Sequence, residues 1–555
     1  MSYNNPINLN ENKDLQVKVI YPNNESEYAN IRLKYGSAPQ ILLRGDLQDK
    51  EIIVQAINDN RYDTYYISDI HTHNFFTPSI FRYLYMGKAD KDNLKTVYFT
   101  IPELASYFHR ELNYEIDHDV NITGNLKIEP LEAKLENIGL CIKIHQGYSL
   151  KSNEDHTGFT FKNIIFFSFE SETALSFNDI ENLMYKAIRL LTWIIGYPVS
   201  VDSINVSDGE NSGYLYLPIV KKLSKHDTNF PNSFMHSHLF REHFQIICNN
   251  FFIHKELFND IWSRTIPLFD FTGVLEYEVM LYASILDKYF SHKINELNLY
   301  QATNENIDIT GIEDFLKNNE DFRNLLTDQS LIEKIDVAQL FNIQKFQTLV
   351  QKQKTYFKYI GAKNLKIFIN NNDFYNIKSI RDRAAHGVKE QLSTSKVQEC
   401  LWKVKLLTMY FIYSDLGIKE DDFFKIISST IHPTVNNCEI DQQLLDLKVG
   451  RTIFIKMNQS EIDKVEKLGI KAKVLDKQND IYLFNYELSK MIQDYFKNDI
   501  NSITENKTPI FYSYIDYMVY LLEQKKINKK AKFYNQVYIE QKNNKKLIHN
   551  VIILS

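Results

Sequence analysis

Short runs of β-branched and aromatic residues, each bounded by polar turn residues, fill the chain from its start to about residue 170: IRLKYG, QILLRG, EIIVQAI, TVYFTI and NIIFFSFE. Runs of this length and make-up predict strands, and with them a β-rich, sandwich-like region. The period then lengthens. Over 178–196, Ile180, Leu183, Met184, Ala187, Leu190, Leu191 and Ile194 recur three and four apart. That stripe predicts a helix capped by Asn178 and ended by Gly196. Clustered Ser, Asp, Gly and Asn over 207–214 predict the loop that closes the region.

From about residue 236 the helical spacing dominates. HLFREHFQIICNNFF, GVLEYEVMLYASILDKYF, IQKFQTLVQKQKTYFKYIG and SKVQECLWKVKLLTMYFIYSDLG are long amphipathic segments, most economically packed as a helical bundle. The last has capping-box spacing at Ser395 and Gln398 and stops at Gly417. After about 430 the signals mix. RTIFIKM, KAKVLD, DIYLFN, FYNQVYIEQ and KLIHNVIIL read as strands; SEIDKVEKLG, closed by Gly469, and YSYIDYMVYLLEQKK read as helices. The expected fold class is multidomain α+β: a β-rich, sandwich-like domain over 1–215, an all-α bundle over 216–430 and a small α/β module over 431–555. A chain of 555 residues is long enough for several such cores.

Composition narrows the function classes. A net charge of −6 repels a phosphate backbone at long range, so any nucleic-acid contact needs a local basic surface. The four cysteines, Cys141, Cys248, Cys400 and Cys438, lie far apart and form neither a CxxC pair nor a disulfide framework, which argues against structural zinc and against secretion. The first residues, MSYNNPINLNENKDLQ, are polar, and no apolar run approaches the length of a membrane span. A cytoplasmic protein without a membrane segment is expected. Neither GxGxxG nor GxxxxGK[ST] occurs, and the expected cofactor and metal content is none.

The stretch SIRDRAAHG, 379–387, carries the most pointed chemistry. Asp373 is the expected cap of a helix through FYNIKSIRDRAAHG, and Gly387 its end, which puts His386 in the last turn. The carbonyl end of a helix attracts positive charge and so suits a histidine in an acid role. Arg381 and His386 lie about 140° apart around the helix axis. Arg383, three residues before His386, is nearer its face, so spacing alone does not choose between the arginines. Spacing alone also proves little, since twelve arginines, fifteen histidines and three permitted separations give roughly one chance match. A solvated helix end is the competing reading.

Arg381, polar Asp382 and His386, followed by glycine and a long amphipathic helix, resemble the R-[polar]-x3-H signature of HEPN ribonucleases. The order of segments resembles the ApeA group of bacterial antiphage HEPN proteins, through YMGKADKDNLKTVYFTIPELASYF and NIIFFSFESETALSFNDIENLMYKAIRLLTWIIGYPVSV in the β-rich region. The resemblance covers about residues 1–420. It implies a metal-independent endoribonuclease of abortive antiphage defence, active as a homodimer on tRNA or another host RNA and set off by a phage-derived trigger. It implies Arg381 and His386 as catalytic residues, with Asp382 as an orienting group. A non-catalytic sensor or scaffold built on the same bundle stays open.

Other features compete. Asp69, His71 and His73 in DIHTH form a DxHxH pattern, in which the two histidines share one side of an extended strand, as a metal-dependent phosphohydrolase would need. The strand and helix alternation of a barrel that would complete such a site is missing. His236, His238 and His243 open the bundle without HExxH. Lysines crowd the end of the chain, with Lys525, Lys526, Lys529 and Lys530 the candidates, together with Arg383, for RNA contact, because basic residues interleaved with aromatics can follow a backbone and stack bases. The 431–555 module, beyond the resemblance, is expected to be regulatory, reading a nucleotide or another small ligand, an RNA segment or a partner protein; an accessory domain that only extends the RNA-binding surface is the alternative.

Overall fold

The computed structural model describes residues 9, 12–20, 26–33, 37–42, 51–56, 65–71, 79–109, 113–116, 122–125, 128–152, 159–218, 232–254, 256–299, 309–320, 324, 348–467, 471–479, 481–497, 511–540 and 545–555. The chain divides into two compact units, 1–418 with 430–439, and 419–429 with 440–555.

In the first unit, thirteen strands pair antiparallel into one sheet. The short strand Thr96–Thr100 shows the pattern that builds it: Val97 and Phe99 are buried, while Thr96, Tyr98 and Thr100 are half-buried. That is the period-two alternation of a strand with one face on a core. Its longest hairpin pairs Leu140–Ser152 with Phe159–Ser171, Leu140 opposite Ser171. The β-rich expectation holds, but hydrogen bonds make one sheet where a sandwich has two. Tyr83–Gly87 joins the halves, pairing with Ser212–Tyr216 on one side and Tyr65–Ser68 on the other.

Helix α1, Phe177–Ile195, buries the whole stripe from Ile180 to Ile194. Its cap is Ser176, two residues before the expected Asn178. The Ser176 hydroxyl accepts the Asp179 N–H at 3.2 Å, and the Asp179 carboxylate accepts the Ser176 N–H at 3.0 Å. Gly196, at φ +86°, ends the helix as expected.

The helical part of this unit includes α2 (Ser237–Ile253), α3 (Leu275–Glu296), α4 (Leu349–Ile360), α5 (Asn371–Ala385) and α6 (Thr394–Asp415). Helix α3 packs against α4, α5 and α6, and α5 packs against α4 and α6, so the four form a bundle. Tyr289, Phe290, Tyr356 and Phe411 meet ring to ring at its centre. Helix α6 is capped by Ser393, not Ser395, and closes at Gly417, φ +88°. Two buried hydrogen bonds tie helical region to sheet region: Trp193 Nε1 donates to Thr265 Oγ1 at 2.9 Å, and the Tyr413 hydroxyl donates to the Trp193 carbonyl at 3.1 Å.

The second unit is a three-layer α/β module. Its five-stranded sheet runs in the order Phe454–Ile455, Ala531–Glu540, Lys545–Leu554, Lys473–Gln478, Ile481–Phe484. Neighbours along a strand serve opposite faces. Val551 and Ile553 join Ile462 and Val465 of the helix Gln459–Lys467. Ile552 and Leu554 join Leu488, Ile492, Met518 and Leu521 of the helices Tyr486–Lys497 and Tyr514–Gln524. A strand buried on both faces must be apolar at successive positions, as VIIL is. RTIFIKM yields only a two-residue strand, and Gly469 lies outside the described residues. Among the described residues no helix is long and apolar enough to cross a membrane.

Candidate active site

Helix α5 begins three residues before the expected Asp373. Asn370 Oδ1 accepts the N–H groups of Asn372 at 2.8 Å and Asp373 at 3.2 Å, while the Asp373 carboxylate accepts the Asn370 N–H at 2.9 Å. Asp373 therefore sits at the third helical position and completes a capping box. It also receives Lys403 Nζ from α6 at 3.1 Å, an ion pair buried on both sides. Lys403 reaches Glu399 at 2.6 Å and Glu439 at 3.1 Å as well. Burial alone would lower the pKa of this ammonium, and the three carboxylates outweigh it and raise the pKa. The first turn of α5 is thereby fixed to α6.

Phe374, Ile377 and Ile380 then bury the inner stripe of α5. Arg381, the next residue, turns along the bundle. Its Nη1 donates to Asp287 on α3 at 2.8 Å and its Nε to Asp382 at 3.1 Å. Asp287 also holds Lys352 of α4 at 2.8 Å, and Asp382 holds Lys378 at 2.6 Å. Partial burial pushes the Asp382 carboxyl upward, but Lys378 and Arg381 prevail and its pKa falls below the usual range. The guanidinium is thus set by two carboxylates. Two of its five N–H donors are used, and among the described residues the others have no partner.

His386 is the C-cap of α5, its N–H shared between the carbonyls of Asp382 and Arg383 at 3.2 Å each. Gly387 follows at φ +64°, the left-handed conformation that lets the Val388 N–H return to the Arg383 carbonyl at 2.9 Å. The imidazole is exposed, and among the described residues it makes no hydrogen bond or ion pair. Arg383 points elsewhere, Nη1 donating to the Lys389 carbonyl at 3.0 Å, where it braces the turn. No hydrogen bond joins Arg381 to His386.

Asp287, Lys352 and Lys403 were not legible as site residues. Their signal is slight: Asp287 is one acid between buried Leu286 and Tyr289.

The remaining candidates belong to other elements of the chain. Asp69 and His71 pair with one another at 3.4 Å, and His73 lies outside the described residues. The rings of His236 and His238 are 5.7 Å apart at the start of α2. Among the described residues no group of three His, Cys, Asp or Glu side chains is placed to hold a metal ion. Lys525 and Lys526 are exposed. Lys529 is paired with Asp476 at 2.6 Å, and the Lys530 backbone exchanges hydrogen bonds with Ser555.

The pattern of a β-rich region before a bundle has a counterpart among known families. Residues 8–252 match the family model described as ApeA N-terminal domain 1. The chain carries an ApeA N-terminal domain. The match covers somewhat under half of the chain and agrees with the resemblance carried by its β-rich segments. It spans the sheet, α1 and α2, and ends before Arg381 and His386. No curated protein and no solved structure matches the chain.

Proposed function

We propose that this ApeA-type protein is a HEPN endoribonuclease that cleaves host RNA, tRNA foremost, in abortive antiphage defence. The observation that carries the reading is the end of α5. An exposed histidine on a glycine-closed turn follows, on the same helix, an arginine held by two carboxylates, in a chain with an ApeA N-terminal domain.

Cleaving RNA through its own 2′-hydroxyl needs a base for that hydroxyl, positive charge on the phosphorane-like transition state and an acid for the departing 5′-oxygen. His386 supplies the proton transfer. Arg381 supplies the charge: Asp287 and Asp382 fix its orientation beforehand, so no reorganisation is needed as charge develops on the phosphate. Since Arg381 turns to α3 while His386 stands at the helix end, a two-fold partner completes the groove, bringing a second pair of motifs to the first. In this reading the N-terminal domain senses the phage trigger. The module over 431–555 is regulatory in this reading: a nucleotide or other small ligand held by it favours one of two dimer arrangements.

Incubation of purified full-length variants with total RNA tests the assignment. Arg381→Ala is expected to lower the cleavage rate by about 100-fold or more, as loss of one preorganised charge contact does. Asp287→Asn, which loosens the same guanidinium, is expected to cost about tenfold. Arg383→Ala, losing only a brace to a backbone carbonyl, is expected to stay near the parent rate. Inactive Arg383→Ala beside active Arg381→Ala would reverse the assignment of the arginine.

A further inference from the structure

A cavity of about 650 Å³ opens on the outer face of α1, and none of its lining residues belongs to the candidate active site. It is walled by that face, by the base of the Leu140–Ser152 and Phe159–Ser171 hairpin, and by Phe252 near the end of α2. Its volume lies within the range of small-molecule sites.

Two cations face it from one side of α1, three residues apart: Lys186 and Arg189. Lys186 Nζ lies 5.0 Å from the centre of the Phe252 ring. Arg189 Nη1 donates to Asn259 Oδ1 at 3.1 Å, and among the described residues no carboxylate pairs with it. The single carboxylate in the lining, Asp179, is already committed to the α1 capping box. Arg189 is half-buried, and burial lowers its pKa because no carboxylate among the described residues offsets the partial loss of water. A guanidinium so placed, partnered by a neutral amide, gains most from an anion, and its fork suits phosphate.

The rest of the lining is not that of a bare phosphate site. Tyr185, partly exposed, offers an aromatic face, and the amides of Asn182 and Asn259 offer paired donors and acceptors. The cavity also exceeds what one phosphate fills. We propose that it binds a free mononucleotide, with phosphates on Arg189 and Lys186 and the base against Tyr185. Except for Asn259 the lining lies within the residues matched to the ApeA N-terminal domain, and occupancy of the site is independent of whether the bundle cleaves RNA.

Titration calorimetry on the full-length protein tests this with ATP, GTP, AMP, adenosine and inorganic phosphate. At least one nucleotide is expected to saturate a single site, with adenosine and inorganic phosphate each about tenfold or more weaker. Arg189→Gln is expected to weaken the nucleotide by about tenfold, and His386→Ala to leave it unchanged. Comparing nucleotide with nucleoside on the unaltered protein keeps the test decisive even where a variant misfolds. Absence of saturation by any of these nucleotides below about 1 mM, equal binding of adenosine, or unchanged affinity in folded Arg189→Gln would overturn the proposal. Displacement of the nucleotide by single-stranded RNA at equal or lower concentration would assign the cavity to RNA and overturn it too.

Discussion

His386→Ala is expected to abolish RNA cleavage and antiphage protection while leaving the melting temperature nearly unchanged. A positioned proton-transfer group contributes about 100- to 10,000-fold to a rate, so its removal takes turnover to the edge of detection. The imidazole is exposed and bonds to nothing among the described residues, so its removal opens no cavity and orphans no buried group. The helix end itself survives, because the bonds that close it come from backbone N–H groups and from Gly387. Parallel rate measurements and thermal melts check both halves. An inactive variant that also melts far below the parent would signal a structural role, and an active one would remove His386 from the mechanism.

Lys403→Met is expected to be the most destabilising of the single changes considered, by about 3 kcal/mol, because it takes from the buried Asp373 carboxylate its near counter-ion and leaves only Lys396 Nζ at 4.0 Å. Methionine keeps most of the volume, so the loss reports charge rather than packing. Adding Asp373→Asn is expected to recover part of it, since the amide oxygen still accepts the Asn370 N–H. The same cluster sets an acid limit. Burial works against the Glu399 carboxylate, but hydrogen bonds from Lys396 and Lys403 draw its pKa from 4.5 to about 2. A folded-state pKa below the unfolded one contributes stability that is complete above about 4.5 and disappears as the pH falls through about 2. Between those values the parent is expected to lose stability more steeply than Glu399→Gln. Denaturant melts across that range check the sign.

Helix positions were readable in the sequence where an apolar stripe ran three and four apart. Every stripe residue from Ile180 to Ile194 is buried as expected, and α6 ends at the expected Gly417. Helix starts were read late in each case: Ser176 for Asn178, Asn370 for Asp373, Ser393 for Ser395. The cause is common to all three. Several adjacent residues can each accept a backbone N–H, as in the run Asn370, Asn371, Asn372, Asp373, and the tertiary position of the next apolar residue decides which one does. The continuity of the thirteen-stranded sheet was not legible, because strand composition reveals that a segment is extended and says nothing of its neighbour. The helix Tyr486–Lys497 was missed where its stripe, Leu488, Ile492 and Tyr495, is broken by polar residues.

Of the candidate site, the residues on α5 were legible because they are close in sequence. The spacing left Arg381 and Arg383 open, and what distinguishes them is distant: Asp287 lies 94 positions before Arg381 and binds only that arginine. Such a partner is visible only after the bundle has folded. The cavity on α1 was hidden for a related reason, since Lys186 and Arg189 read as the solvated face of an amphipathic helix until the hairpin and Phe252 enclose them.

The most direct measurement is mass spectrometry of the 3′ ends left when purified full-length protein cuts tRNA in excess chelator. Attack by the ribose 2′-hydroxyl predicts undiminished cleavage and fragments ending in 2′,3′-cyclic phosphate or its opened monophosphate, all absent with His386→Ala. Cleavage lost on chelation, or fragments ending in a 3′-hydroxyl, would contradict it.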